Sequence, residues 1–229
     1  LIRSLMPRVQ GVARGALFSL FALSAVPLVL NAGAASRRSG PETTFARDFA
    51  HALLQSVPPG GILFTWGDND TFPLWYAQSV EGVRRDVTVV CLALAETGWY
   101  MRSMRDAKSE PVDRAQLASI WRETPAPNID WPLHQLTDET IATFAPQRID
   151  DELTIELPNG LAVRVPRGSA VLGKDLLLLA IVRQNAGRRP ISWSVTAAQK
   201  LFNLGPSLVQ QGLAVTMPVS APDTTRLVG

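Results

Sequence analysis

The feature that most limits what this chain can fold into is the charge-free segment at residues 15–35, GALFSLFALSAVPLVLNAGAA. A helix of about 20 apolar residues is long enough to cross the hydrocarbon core of a bilayer. Arginines flank the segment on both sides: Arg3, Arg8, Arg14, Arg37 and Arg38. The segment therefore predicts a transmembrane helix that carries the following residues out of the cytoplasm.

Two other interpretations of this segment stay open. A secretory signal would use Ala32-Gly33-Ala34 as its small-residue cleavage site. A soluble core helix is the second alternative, because Ser, Gly and Ala dilute the hydrophobicity. The chain begins at Leu1 rather than Met, which favours the last of several spans over a signal. The upstream arginines favour a cytoplasmic start.

Composition indicates a globular domain behind this segment. Hydrophobic residues make up 46% of the chain and charged residues 18%, which is the balance of a folded protein. The basic residues are scattered and the formal net charge is only +2, so we expect no nucleic-acid partner. The single cysteine, Cys91, lies in an apolar run and predicts a small core residue. With only His51 and His134, an ordinary zinc site is not expected.

Helical and strand-like segments alternate after the apolar segment. A helix is predicted over residues 45–55, stopped by Pro-Pro-Gly-Gly, and a buried strand over 62–66 follows. A helix over 72–80, a strand over 87–94 and a helix from Thr97 to Arg105 continue the pattern. Such alternation predicts the α/β class, with an open, mainly parallel sheet flanked by helices.

The rest of the chain is less regular. A proline-punctuated excursion carries possible helices over 115–122 and 138–144, and an antiparallel hairpin turns at Asn159-Gly160 between 153–157 and 161–165. Helices are predicted over 174–185 and 197–204, and strands over 190–196 and 212–217. The predicted domains are a cytoplasmic or inter-helix segment (1–14), a transmembrane helix (15–35), a linker (36–44), an extracytoplasmic α/β domain (45–219) and a tail (220–229).

The densest chemical cluster follows the first predicted strand and consists of Asp68, Asn69, Asp70 and Thr71. Ligands of open parallel sheets bind beyond the carboxyl ends of the strands. Carboxylates of Asp68 and Asp70 could hold Mg²⁺ or Mn²⁺, as an Asp-x-Asp motif does in one class of glycosyltransferases. The alternative is structural: the first residues form a turn, and Asp70 or Thr71 caps the next helix.

Glu96 and Thr97 end the second predicted strand and would join this cluster if the two strands are neighbours, with Trp99 and Tyr100 as a wall. The alternative makes Glu96 a solvated carboxylate and Thr97 a helix cap. Arg188-Arg189 before the late strand could meet an acidic or phosphate group, or be a solvated helix end. No partnered nucleophile, nucleophile elbow, phosphate-binding loop or dinucleotide fingerprint is present, and we assign no catalytic residue.

Two stretches resemble a known family. They are FARDFAHALLQSVPP followed by GILFTWGDNDTFPLWYAQSVEGVRRDVTVVCLALAETGWYMRSMR, and GKDLLLLAIVRQNAGRRPISWSVT. Both are similar to the carboxyl-terminal part of a bacterial family of multi-spanning membrane proteins of unknown function. The vertebrate relative of that family is an endoplasmic-reticulum protein O-mannosyltransferase of plexin-type receptors.

The resemblance implies a transferase that uses a lipid-linked sugar, with its catalytic acidic residue in an early extracytoplasmic loop that does not correspond to any matched stretch here. It implies that this part is an extracytoplasmic accessory or acceptor-facing domain in the bacterial inner membrane, with its main domain on the periplasmic side. The expected partners are the bilayer, the upstream membrane domain and an acceptor protein. We expect no cofactor. The alternatives are a free-standing metal-dependent enzyme and an envelope-anchored interaction module.

Overall fold

A computed structural model describes residues 2–35, 43–129, 132–198, 202–217 and 219, and of residues 2–14 and 34–35 only the backbone. The chain forms two compact units, Leu1–Phe45 and Ala46–Gly229. Most of the predicted linker (36–44) and the whole predicted tail (220–229) lie outside the described residues.

The first unit is built on one long helix, α1 (Ile2–Ala35). Its segment Gly15–Gly33 has a mean hydropathy of 1.8, and none of it is buried within the protein. Large side chains such as Phe18, Phe21 and Leu28 are about three-quarters exposed. The segment is long and apolar enough for a membrane anchor, and a signal sequence has the same properties.

The second unit alternates helices and strands. Its helices are α2 (Phe45–Gln55), α3 (Asp68–Ser79), α4 (Gly98–Arg105), α5 (Asp138–Thr143) and α6 (Gly173–Asn185). Its strands are β1 (Ile62–Thr65), β2 (Thr88–Cys91), β3 (Gln147–Arg148), β4 (Leu153–Glu156), β5 (Ala162–Val165), β6 (Ala170–Val171), β7 (Ile191–Ser194), β8 (Val209–Gln211) and β9 (Ala214–Met217).

The main sheet has five strands in the order β2-β1-β7-β9-β8. β1 runs parallel to β2 on one side and to β7 on the other, with Ile62 opposite Thr88 and Ile191. β9 pairs antiparallel with β7 and with β8, so the sheet is mixed. β4 and β5 form the predicted antiparallel hairpin, and β3 pairs with β6. The α/β class is confirmed.

Both faces of β1 are covered, which explains why this strand begins with an uninterrupted apolar run and is buried at all four residues. Ile62 and Phe64 of β1 belong to a core that includes Trp193 and apolar residues of α6. Leu63, between them, belongs to a second core with residues of α2 and α3. The rings of Phe64 and Trp193 lie 5.4 Å apart between centroids, joining β1 to β7.

Most element predictions are confirmed, and the helix over 115–122 is wrong. The helix over 45–55, the helix over 138–144, the hairpin and the helix over 174–185 are present. In place of a helix over 115–122, the chain makes two separate 3₁₀ turns, Arg114–Gln116 and Ser119–Trp121. β8 was not predicted. Of the predicted helix over 197–204, residues 199–201 lie outside the described part, and the described residues around them contain no α-helix.

A buried ion pair fixes the connection between α2 and β1. Arg84 is 1% exposed and Asp86 3%. The Arg84 Nε lies 2.8 Å from Asp86 Oδ1, and its guanidinium also donates to the carbonyls of Leu54 (2.9 Å) and Val57 (3.1 Å). Asp86 Oδ2 accepts the backbone N–H of Gly60 at 2.8 Å. The pair thereby holds the end of α2 and the turn that leads into β1.

The same region contains unusual backbone. Arg84 has φ of +47°, a left-handed conformation that costs a residue with a side chain about 1 kcal/mol. Gly60 has φ of +63°, and a Cβ there would lie 2.7 Å from Pro127 Cγ. The charged hydrogen bonds of Arg84 offset its strained backbone, since each contributes about 1.5–3 kcal/mol.

Replacement of Asp86 by alanine should lower the free energy of unfolding by about 3–5 kcal/mol, because the Arg84 guanidinium would stay buried without its carboxylate. The measurement is urea unfolding of the full chain in nonionic detergent, followed by tryptophan fluorescence. Asp151→Ala removes the same side chain from an exposed position and should change stability by less than about 0.5 kcal/mol. Equal effects of the two substitutions would contradict this role.

Candidate functional site

The carboxyl ends of β1, β2 and β7 meet at one edge of the sheet. β1 ends at Thr65, β2 at Cys91 and β7 at Ser194, and Thr65 pairs directly with Cys91. The loop that carries the predicted site residues leaves β1 at this edge. The topology therefore places the cluster where ligands of parallel sheets bind.

The loop becomes helix earlier than the sequence predicts. α3 begins at Asp68, and its N-cap is Gly67. The prediction that Asp70 or Thr71 caps the helix is wrong. Asp70 is instead the third helical residue, and its carboxylate reaches back to the backbone N–H of Gly67. A carboxylate in this position satisfies an N–H of the helix start and interacts favourably with the helix dipole.

Asp70 is the centre of a buried polar cluster. Its side chain, 2% exposed, accepts the backbone N–H of Gly67 at 3.0 Å and that of Trp66 at 3.1 Å. The Ser194 hydroxyl donates to Oδ2 at 3.0 Å, and the Thr196 hydroxyl donates to the same oxygen. The carboxylate thus ties the end of β1 and the start of α3 to the end of β7.

The environment of Asp70 favours its ionised form. Burial by itself raises the pKa of this carboxyl group, but the hydrogen bonds from Thr196, Trp66, Gly67 and Ser194 outweigh burial and lower the pKa below its usual value. Asp70 is therefore a carboxylate at neutral pH. Its charge is compensated by hydrogen-bond donors from the domain itself.

The neighbours of Asp70 divide into an exposed and a buried group. Asp68 and Asn69 are exposed on the first turn of α3. Thr71 is fully buried, and its hydroxyl lies 2.7 Å from that of Thr65. The structure therefore separates the two carboxylates of the Asp-x-Asp motif: Asp68 faces solvent, and Asp70 points into the domain.

This arrangement bears on the proposed metal site. A divalent cation at Asp70 would displace donors that already satisfy both carboxylate oxygens, so the residues fit a structural role better than metal coordination. Within the part of the chain that the structure describes, no group of three or more His, Cys, Asp or Glu side chains could hold a metal ion. Mg²⁺ or Mn²⁺ binding by Asp68 and Asp70 stays a prediction.

Glu96 contacts the start of α6 and not the Asp70 cluster. Its Oε2 accepts the backbone N–H of Gly173 at 3.1 Å, and its Oε1 lies 3.0 Å from the Lys174 Nζ. That ammonium group also lies 5.6 Å from the centre of the Trp66 ring, a cation–π arrangement. Glu96 lies in a 3₁₀ turn (Leu94–Glu96) beyond β2, which ends at Cys91, so the prediction that Glu96 and Thr97 end the second strand is wrong. Glu96 joins this turn to α6, and Lys174 joins α6 to Trp66, the residue just before the loop.

The other predicted residues at this edge are mainly structural. Thr97 occupies the N-cap position of α4, as predicted, but its hydroxyl donates to the carbonyl of Leu94 and not to the helix. Trp99 is 60% exposed. The Tyr100 hydroxyl is buried and accepts the backbone N–H of Cys91 at 2.7 Å. Burial raises the pKa of Tyr100, so it stays a neutral phenol.

Two remaining predictions concern histidine and arginine. His134 is fully buried, and its Nε2 lies 2.8 Å from the carbonyl of Met101. Burial lowers the pKa of His134, so it is neutral at physiological pH and acts as a core hydrogen-bond donor. Arg188 is exposed, but Arg189 is only 3% exposed, so the solvated alternative is wrong for Arg189.

Comparison with known proteins identifies one related domain. Residues 46–124 match the family model described as TMEM260-associated domain 2. No curated protein and no solved structure matches the chain. The match fits the relation to TMEM260, the O-mannosyltransferase of plexins, that the sequence resemblance indicates. It contains the Asp70 loop and Glu96, and it ends before Ser194, Thr196 and α6.

The sequence did not predict Ser194 and Thr196, which complete the Asp70 cluster, or Lys174, which contacts Glu96 and Trp66. Ser194 and Thr196 fall at the end of a strand that was predicted, over 190–196. If that strand had been placed next to β1, the rule that parallel strands end at one edge would have brought both hydroxyls to Asp70. Lys174 carries no comparable signal, because only the packing of α6 brings it to Trp66 and Glu96.

Replacement of Asp70 by alanine should lower the free energy of unfolding by about 2–4 kcal/mol, because two backbone N–H groups and the hydroxyls of Ser194 and Thr196 would lose their acceptor. Asp68→Ala, two residues away and exposed, should stay within about 0.5 kcal/mol of the native chain.

The stabilising effect of Asp70 should also depend on pH. Because the folded pKa of Asp70 is lowered, its contribution to the free energy of unfolding is complete above about pH 4 and is lost as pH falls through the folded pKa. Urea unfolding at pH 7 and pH 3 measures both effects; a larger loss in Asp68→Ala would contradict the assignment.

Proposed function

We propose that this chain is an extracytoplasmic accessory or acceptor-facing domain of a multi-spanning membrane glycosyltransferase-like protein. The match of residues 46–124 to a TMEM260-associated domain carries the proposal. That domain contributes two of the three parallel strands, β1 and β2, with α2, α3 and α4. The proposed parent protein transfers a sugar from a lipid carrier to a protein acceptor, in the manner of a protein O-mannosyltransferase.

The apolar part of α1 supports the membrane attachment. Segment Gly15–Gly33 buries none of its surface within the protein, so its apolar side chains need another apolar environment. A bilayer provides that environment at the right thickness. We propose the inner membrane of a bacterium, with the second unit on the periplasmic side.

The acidic side chains of the candidate site are bonded to other groups of the domain, which supports a non-catalytic role for this domain. A general base or nucleophile needs a side chain that reaches the substrate. Asp70 is buried and accepts hydrogen bonds from backbone and hydroxyl groups of the domain, and Glu96 is paired with Lys174. In this proposal, the loop shapes the carboxyl edge of the sheet, and the catalytic group belongs to the membrane part of the parent protein.

The outer face of α3 supports contact with a protein. Phe72, Tyr76 and Val80 follow one another at intervals of four residues, and they are 53%, 55% and 65% exposed. Residues at this spacing lie on one side of a helix. Exposed aromatic side chains are typical of protein-binding surfaces. We propose that this face of α3 contacts the upstream membrane domain or the acceptor protein.

The periplasmic location can be tested with the cysteine content of the chain. Cys91 is the only cysteine, and it is buried. We expect a membrane-impermeant maleimide to label the variant Cys91→Ala/Ser79→Cys in cells whose inner membrane is intact, since Ser79 is exposed. The native chain is the matched control and should stay unlabelled. Labelling of Ser79→Cys only after the inner membrane is opened would place the domain in the cytoplasm and refute the proposal.

The absence of catalysis by the chain alone is a second expected outcome. The purified full chain should transfer no sugar from a lipid-linked mannose donor to an acceptor domain, with or without Mn²⁺. Calorimetry with Mn²⁺ and Mg²⁺ should give the same small signal for the native chain and for Asp68→Ala. Turnover by the chain, or a binding signal that Asp68→Ala removes, would favour the free-standing metal-dependent enzyme.

A further inference from the structure

Arg189 is a buried cation without a carboxylate partner among the described residues. Its Nε donates to the carbonyl of Gly60 at 2.9 Å, and its terminal nitrogen donates to the hydroxyls of Thr88 (2.9 Å) and Ser109 (3.2 Å). In the described part of the chain, no Asp or Glu oxygen lies within ion-pair distance of it. Buried charges are normally paired.

The acidic group that interacts electrostatically with Arg189 is already hydrogen-bonded to other partners. Asp86 attracts Arg189 electrostatically, but its two oxygens accept hydrogen bonds from Arg84 and from Gly60. One carboxylate therefore serves two buried guanidinium groups. Burial lowers the pKa of Arg189 to about 10, which leaves it charged at neutral pH. The three buried groups Arg84, Arg189 and Asp86 therefore carry one positive charge in excess.

The hydroxyl partners of Arg189 line a surface pocket. Thr88 and Ser109 belong to the wall of a pocket of about 240 Å³ at the amino-terminal end of β2, together with Arg85, Lys108 and Glu110. A larger groove of about 840 Å³ adjoins it and shares Lys108 and Ser109. The positive charge of Arg189 thus lies directly behind hydroxyl groups that a ligand can reach.

The two hydroxyls form a chain that can donate outward. Thr88 and Ser109 are hydrogen-bonded to each other, and both accept from Arg189. Their mutual bond uses the proton of one hydroxyl and leaves the proton of the other without an assigned acceptor among the described residues. Because the Arg189 guanidinium donates to both hydroxyls, it polarises their O–H bonds. The hydroxyl with the free proton therefore favours a negatively charged acceptor.

Basic side chains complete the pocket. Lys108 is exposed, and within the described part of the chain its ammonium group has no hydrogen-bond or ion-pair partner. Arg85 is held in place by the carbonyl of Gln78 (3.0 Å) and by Glu110 (3.0 Å), which offsets its charge. Lys108 is therefore the cation that is free to meet a ligand.

We propose that this pocket binds a phosphate group, through the free hydroxyl proton of the Thr88–Ser109 pair and the ammonium group of Lys108, and that the bound anion balances Arg189. A tetrahedral oxyanion has enough acceptor oxygens for both donors, and lysine binds phosphate as a point charge. The site lies at the amino-terminal end of β2, opposite to the Asp70 edge. It is independent of the proposed accessory function.

The first test is thermal unfolding of the full chain in nonionic detergent with inorganic phosphate, against sodium chloride at equal ionic strength. We expect a saturable rise in Tm that chloride does not produce, because a ligand that binds only the folded state stabilises it. Lys108→Ala should weaken the apparent phosphate affinity by about tenfold, the loss of one charged hydrogen bond. Arg167→Ala removes one positive charge from an exposed turn elsewhere and should leave the affinity unchanged.

Several outcomes would overturn the proposal. They are equal effects of phosphate and chloride on the native chain, equal phosphate affinity in Lys108→Ala and the native chain, and a larger rise in Tm with acetate than with phosphate. A second variant, Ser109→Ala, breaks the hydroxyl chain. Because that variant loses a bond to Arg189 and can be less stable, its phosphate-induced rise is measured against its own chloride value, and we expect that rise to fall by at least half.

Discussion

The ion pair between Arg84 and Asp86 lies where the end of α2, the Pro-Pro-Gly-Gly turn and the start of β2 come together. Both side chains are buried, and the pair uses its remaining hydrogen bonds on the backbone of residues 54–60. β1 begins immediately after this turn, and its pairing with β2 and β7 sets the register of the parallel strands. The position of the carboxyl edge therefore depends on a charge pair at the opposite end of the sheet.

Asp70 has the corresponding role at the carboxyl edge. A single carboxylate accepts hydrogen bonds from the residue after β1, the N-cap of α3, the hydroxyl of Ser194 at the end of β7 and the hydroxyl of Thr196 just beyond it. Asp175 repeats part of this arrangement in α6, where its Oδ2 accepts the backbone N–H of Leu172 at 3.0 Å. The acidic residues that stand out in the sequence thus stabilise helix starts, and the excess positive charge around Arg189 is the feature that points to a ligand.

The sequence predicted secondary structure correctly where an element has one clear hydrophobic period or a strong stop or turn signal. α2 has the predicted bounds because its apolar side recurs at helical spacing and two prolines follow it. The hairpin β4–β5 was predictable from Asn159-Gly160. The helix predicted over residues 115–122 is wrong, although a short apolar run of this kind is compatible with a helix. The Trp121 indole N–H donates to the carbonyl of Gln55, and this contact holds the segment in two separate 3₁₀ turns.

The sequence alone determined the α/β class, the apolar segment and the position of the polar loop after β1, because these follow from hydrophobic period, segment length and turn chemistry. Only the tertiary structure decided which carboxylate of that loop is buried. It also decided that β7 lies beside β1 and that Arg189 is enclosed. Burial and pairing of charges depend on residues more than 100 positions apart, such as Asp70 and Thr196 or Arg189 and Thr88, and no local pattern encodes such contacts.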